Sequence, residues 1–232
     1  LYTAEETAPR LDLDARSRVG ESFMSVLAHL HSLVPAEIGL DDLGRHDGYV
    51  ARQIRTWYGS WTASAEAADY DDHRLHALHD HLVANLPDQG PARVVHGDYG
   101  VHNVMIDVAG TVAAVLDWEI GTLGDPLADF AYALNAWAEP EDSELARLTA
   151  PTALDGFASR DDLIGYYADR TGADLSLLGY YRSFNSFKTA CIIHGVYARY
   201  RLGMKSTEGV DMPALFDRIT TSIERAESFL ET

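Results

Sequence analysis

The chain has 232 residues, 47% of them hydrophobic, enough to bury a substantial core in one large domain or one with a small appendage. Its 36 acids against 18 bases give a formal net charge of -18, which argues against a basic face for nucleic acid. The single cysteine, Cys191, excludes a disulfide framework and a four-cysteine zinc site, and no run approaches the ~18 apolar residues of a membrane span.

An acidic balance suits a solvated surface, a cationic substrate or a divalent metal. No signal peptide is visible, so the cytoplasm is the expected compartment. The chain opens on Leu1 rather than Met and reads as a piece of something longer.

Residues 1–9 show no clear periodicity. Val19, Phe23, Val26, Leu27, Leu30 and Leu33 predict a helix from Leu13 that closes at Val34-Pro35. His29 and His31 lie two apart on it, on different faces, and cannot chelate one metal together. Residues 36–47 read as a loop. Ile54, Trp57 and Trp61 predict a helix over 49–62. Trp57, Tyr58 and Trp61 fit a core or interface stripe better than the floor of a ligand pocket. Leu75, Leu78, Leu82 and Val83 predict a helix over 71–85. It carries His73, His76, His79 and His81 without the carboxylates or cysteines that would complete a metal site.

Residues 93–129 hold most of the chemistry. Val94-Val95, Val104–Ile106 and Val112–Leu116 are short apolar runs, split by a polar loop and by an Ala109-Gly110 turn. They predict small strands with a loop at their ends. Beyond them Asp125-Pro126 starts a helix that reaches Pro140. Residues 139–159 read as a linker. Helices follow over 161–170, 175–202 and 213–229, and Cys191 lies inside the second as a small buried hydrophobe. The expectation is an α+β chain, mostly α-helical, in which a small β insert carries the polar loop.

Asp98 follows a glycine and can take a proton from a substrate hydroxyl. Asn103 offers a neutral oxygen, and Asp117, at the end of the next hairpin strand, a hard carboxylate. One amide oxygen and one carboxylate suit Mg²⁺, which takes its remaining ligands from water and substrate phosphates. A free Asp beside such a pair is what phosphoryl transfer requires.

The patterns H-G-D-x4-N, L-D-W-E and G-D-P-x2-D resemble the catalytic lobe of the aminoglycoside phosphotransferase and choline kinase-like family, which is similar to the protein-kinase fold. The run LDWEIGTLGDPLADFAY and the later YYADRTG, YYRSFNSFK and YARYRLG segments resemble the branch fused to acyl-CoA dehydrogenases. The resemblance covers most of the chain from Leu13. It implies that residues 1–232 form one C-terminal lobe, with the catalytic loop and metal hairpin over 93–119. It makes Asp98 the catalytic base and Asn103 and Asp117 the Mg²⁺ ligands. His96 and Asp129 become structural braces, and Glu119 a candidate for a metal-proximal or substrate role. His102 departs from the pattern, which has an acid before the Asn.

A kinase-like enzyme also needs a Gly-rich loop over the phosphates and a strand Lys ahead of the catalytic motif. No G-x-G-x-x-G occurs, and the two lysines, Lys188 and Lys205, both follow the motif. The expectation is that the N-terminal ATP-binding lobe is absent from this sequence. The chain alone then binds ATP weakly and has little activity. The acceptor is expected to be a small-molecule hydroxyl: an antibiotic, a sugar, an amine alcohol or a hydroxylated acyl-CoA. Its pocket is expected between the catalytic loop and the helices over 49–62 and 175–202. Tyr181, Asn185, Lys188 and Arg199 are candidate contacts, with core packing and surface ion pairs as their alternative roles. Two other classes remain open: a metal-dependent hydrolase using His96, Asp98 and His102, and a non-catalytic binding module.

Overall fold

The computed structural model describes residues 3–142 and 150–231. It divides into two compact units, Leu1–His46 with Pro91–Leu175, and Asp47–Gly90 with Ser176–Thr232. Among the described residues no helix is long and apolar enough to cross a membrane.

The first unit contains helices α1 (Ala4–Thr7) and α2 (Leu13–Ser32), and strands β1 (Arg93–Val95), β2 (Val104–Ile106), β3 (Val112–Val115) and β4 (Thr122–Gly124). Helices α5 (Pro126–Ala136) and α6 (Arg160–Thr171) complete it. The second unit holds α3 (Tyr49–Ala68), α4 (His73–Ala84), α7 (Leu178–Arg201) and α8 (Met212–Ser228).

Helix α2 is the frame of the first unit. Asp12 caps its start by accepting the Ala15 N–H at 2.8 Å. Val19, Phe23, Leu27 and His31, spaced four apart, are all buried. The antiparallel β2–β3 hairpin pairs Val104 with Val115 and Met105 with Ala114. It is pinned to α2 at two points. Arg18 Nε donates to the Ala109 carbonyl at 2.7 Å, and the Ser22 hydroxyl accepts the Val112 N–H at 2.9 Å. Gly110, at φ 83°, sits so close to α2 that a Cβ there would lie 2.0 Å from the Ala15 carbonyl oxygen.

Strands β1 and β4 form a second antiparallel pair, Val94 opposite Leu123. No strand is expected at 122–124 from the sequence, because three residues, Thr122, Leu123 and Gly124, are too few to show an alternation. Asp125 then caps α5 by accepting the Leu127 N–H at 3.0 Å, with Pro126 in the first turn as the sequence predicts.

In the second unit α3 runs to Ala68, six residues past its expected end. The extra turns are Ala63, Ser64, Ala65, Glu66, Ala67 and Ala68, good helix formers that lack large apolar residues to mark them. Trp61 is fully buried, as a core position should be, and donates from Nε1 to Asp71 at 2.7 Å. His194 of α7 stacks on Trp61 with ring centres 3.8 Å apart. It also bonds the Ser64 hydroxyl at 2.8 Å and the Tyr70 carbonyl at 3.0 Å. Burial holds its imidazole below the usual histidine range. Of the α4 histidines, His79 stacks on Tyr58 at 3.7 Å and His76 bonds the Tyr58 hydroxyl at 2.9 Å. Cys191 is free and buried, and burial pushes its thiol up. The expected linker at 139–159 falls partly on 143–149, outside the described residues, and includes a short 3-10 turn at Pro151–Ala153.

Candidate active site

The loop between β1 and β2 is held from below by one carboxylate. Asp129, buried on the first turn of α5, accepts the backbone N–H of His96 at 2.7 Å and of Gly97 at 2.8 Å. The imidazole of His31 bonds its Oδ2 at 3.3 Å, and the other His31 nitrogen meets the Tyr167 hydroxyl at 2.8 Å. Burial raises the Asp129 carboxyl, but His31 and the two N–H donors outweigh it and hold it below the usual carboxylate range.

His96 is fully buried and braces the same loop. Its Nε2 bonds the Leu116 carbonyl at 2.8 Å, and its Nδ1 accepts the Asp98 N–H at 3.3 Å. Because an N–H can only donate, Nδ1 is the unprotonated nitrogen and Nε2 carries the hydrogen. Both ring nitrogens are thus committed, which leaves His96 with no lone pair for the zinc-hydrolase reading.

Asp98 stands at the top of the loop, with its side chain about one-third exposed. Its Oδ1 receives the Tyr132 hydroxyl and, at 3.2 Å, His102 Nε2. Its Oδ2 receives Asn103 Nδ2 at 3.0 Å. Burial pushes the carboxyl up, yet the bonds from His102, Tyr132 and Asn103 bring it down to about 2. The group is therefore ionised at neutral pH.

Asn103 is buried at the end of a 3-10 turn. Its amide nitrogen is spent on Asp98, which leaves the Oδ1 oxygen as its acceptor end. Its backbone carbonyl takes the Leu116 N–H at 2.8 Å, tying it to the residue before Asp117. Asp117 is exposed and left-handed, at φ 61° and ψ 57°, a conformation that L-residues other than Asn and Asp seldom adopt. Strain of this kind gathers where a side chain must be aimed. A neutral amide oxygen and an exposed carboxylate form a hard-oxygen donor set that fits Mg²⁺. Among the described residues no three His, Cys, Asp or Glu side chains gather to hold a metal ion. Glu119 is exposed two residues on.

A cavity of about 590 Å³ opens beside this loop, bordered by His102, Met105, Ile106, Leu116, Leu11 and Phe157. The remaining candidates, Tyr181, Asn185, Lys188 and Arg199, lie on α7 in the second unit. The first three are buried and Arg199 is exposed. His31 and Tyr132 escape the sequence reading. The signal for His31 was a histidine four residues after Leu27 on the apolar stripe of α2, and for Tyr132 the three-residue spacing from Asp129 on one helix face.

A family model described as the phosphotransferase enzyme family matches residues 2–163. The chain belongs to the phosphotransferase enzyme family. Acyl-CoA dehydrogenase family member 11 of Homo sapiens is 32% identical over 87% of this chain and 26% of its own length. The chain thus spans about a quarter of the curated relatives it matches. A crystal structure from Ralstonia eutropha described as an aminoglycoside phosphotransferase superposes with TM-score 0.83 at 25% identity, covering 100% of this chain and 69% of the other. A spectinomycin phosphotransferase, solved with ADP and spectinomycin, shares the fold at TM-score 0.54 and 15% identity over 96% of this chain and 67% of its own. The phosphotransferase resemblance read from H-G-D-x4-N and L-D-W-E, and its acyl-CoA dehydrogenase branch, are both borne out. So is the mostly helical architecture with a small sheet.

Proposed function

We propose that this chain supplies the acceptor-activating half of an ATP- and Mg²⁺-dependent phosphotransferase that acts on a small-molecule hydroxyl. The observation that carries the reading is the ionised Asp98 on a loop whose backbone is fixed by Asp129, with Asn103 bonded to that same carboxylate. Asp98 orients the acceptor hydroxyl and takes its proton. With a pKa of about 2 it is a weak base, so the proton passes late, as the new O–P bond forms and the bond from the γ-phosphorus to the departing ADP oxygen breaks. Asn103 Oδ1 and Asp117 would hold Mg²⁺, which neutralises phosphate charge when bound.

The apolar walls of the 590 Å³ cavity suit the flat face of a nucleotide base. The groups that grip the phosphates are the ones this sequence lacks, a Gly-rich loop and a Lys ahead of the motif. In this reading another part of the full-length protein supplies them, and the 232-residue chain alone turns over little ATP. The family relatives are acyl-CoA dehydrogenases by name, which favours a hydroxylated acyl-CoA-type acceptor over an aminoglycoside.

The test is a screen of hydroxyl compounds, including hydroxyacyl-CoA thioesters, aminoglycosides and choline, with the full-length protein, ATP and Mg²⁺. Phosphorylated product should form, and Asp98→Asn should cut its rate by about 10²–10⁴-fold. An Asp98→Asn protein as fast as the wild type sinks the reading.

A further inference from the structure

An ionised carboxylate offers about four lone-pair sites, two on each oxygen. On Asp98 three are taken. The Tyr132 hydroxyl and His102 Nε2–H both donate to Oδ1, and Asn103 Nδ2 donates to Oδ2. The remaining site is on Oδ2. We propose that His102 and Tyr132 are positioning residues that fill Oδ1, fix the rotamer of Asp98 and reserve Oδ2 for the acceptor hydroxyl. The inference rests on the phosphotransfer reading above and adds to it the residues that aim the base.

Two features of the chain build this clamp. Tyr132 follows Asp129 by three residues on α5, so one helix face braces the loop backbone through Asp129 and the loop's carboxylate through Tyr132. His102 folds back over the loop because residue 100 has no side chain. A Cβ on Gly100 would lie 2.4 Å from His102 Cε1 and 2.6 Å from Nδ1. His102 thus bonds Asp98 with one edge of its ring only because Gly100 leaves room for another. His102, which departs from the family pattern, occupies this space. The same imidazole borders the 590 Å³ cavity, so what enters there meets the residue that holds the base.

The experiment measures ADP release from ATP and Mg²⁺ by the full-length protein. Water is the acceptor first, then the best hydroxyl compound of the screen. Tyr132→Phe and His102→Leu should each lower kcat on the order of tenfold, and Tyr132→Phe, which does not border the cavity, should leave KM for ATP unchanged. His102→Gln, whose amide N–H can reach the same oxygen, should recover most of the loss. Gly100→Ala should behave like His102→Leu, because it displaces the ring without removing it. Mn²⁺ affinity, read by electron paramagnetic resonance, should stay within about twofold in all four, since Asn103 and Asp117 are untouched.

An unchanged kcat in both Tyr132→Phe and His102→Leu overturns the clamp, as does a Gln variant no better than Leu. A merely structural role would shift the unfolding midpoint and leave the Gln and Leu variants alike in kcat. Asp98→Asn is run beside them. If it turns over like the wild type, the phosphotransfer reading itself fails. If Asp98→Asn is dead and the clamp variants are not slowed, only the clamp fails.

Discussion

Asp129 holds His96 by its backbone: Oδ2 accepts the His96 N–H at 2.7 Å, from a helix 33 residues downstream. The same carboxylate takes Gly97 N–H and the His31 imidazole, so a single buried charge joins α2, α5 and the loop between β1 and β2. Its folded pKa lies below the unfolded value of about 3.9. The stabilisation is therefore complete above about pH 4 and is lost as pH falls through the folded value. Asp129→Asn should cost at least about 3 kcal/mol at pH 7, because donors built for a carboxylate meet an amide. It should also flatten the acid limb of the unfolding curve. Circular dichroism across pH 2–7 measures both effects, and an unaltered acid limb would show that the charge of Asp129 is not what couples the loop to pH.

Gly110 sets how closely the hairpin lies on α2. Its φ of 83° disfavours any Cβ, and the Ala15 carbonyl leaves no space for one. Gly110→Ala should destabilise the first unit by about 1–3 kcal/mol. It should also speed amide exchange in β2 and β3, and weaken Mn²⁺ binding, because Asn103 precedes one hairpin strand and Asp117 follows the other. Hydrogen exchange followed by mass spectrometry resolves the hairpin directly. Unchanged protection there would mean that the turn tolerates a Cβ by shifting as a whole.

The helices and the polar loop between β1 and β2 were legible because their signals are local. Leu75, Leu78 and Leu82 recur at helical spacing, and Asp125-Pro126 announces a helix start. Asp98, Asn103, Asp117 and Asp129 stood out as acids and amides among short apolar runs. What was not legible depends on contacts between distant residues. His31 and Asp129 are 98 positions apart, and nothing in the sequence near His31 says that it meets a carboxylate. The β1–β4 pairing joins two three-residue strands too short for any period to emerge. Tyr132 is an ordinary aromatic on an apolar helix until the loop it touches is in place. The branch resemblance at LDWEIGTLGDPLADFAY reached further than periodicity did, because that run takes in Asp117, Asp129 and Tyr132 together.

His194 is a pH probe in the second unit with its own reporter. Burial holds its folded pKa below the unfolded value of about 6.5. The unfolded chain therefore binds the extra proton, and stability falls as pH drops below about 6.5. His194→Gln stays neutral and should remove that part of the pH dependence, at a cost of about 1–2 kcal/mol at pH 7 from imperfect bonds to Ser64 and Tyr70. Trp61, stacked on the imidazole at 3.8 Å, reads the change through its fluorescence. A variant whose unfolding midpoint between pH 5 and 7 tracks the wild type would assign the sensitivity to another group.

Asp117 separates stability from the proposed metal site. Its left-handed backbone costs an L-residue about 1–2 kcal/mol, while glycine adopts it freely but loses about 0.5–1 kcal/mol to chain entropy. The two largely offset, so Asp117→Gly should leave stability unchanged or raise it by at most about 1.5 kcal/mol. The carboxylate is exposed, and its removal leaves no buried donor stranded. Mn²⁺ binding in the presence of ATP should nevertheless fall by at least about tenfold in the full-length protein, since half of the side-chain donor set is gone. Asp117→Val should lose the same binding and, being β-branched at φ 61°, should also unfold more easily by more than about 1 kcal/mol. Calorimetric titration with Mn²⁺ and thermal unfolding on the same two variants distinguish the effects. Retained Mn²⁺ binding in Asp117→Gly would remove this residue from the ligand set and leave its strained backbone without a chemical reason.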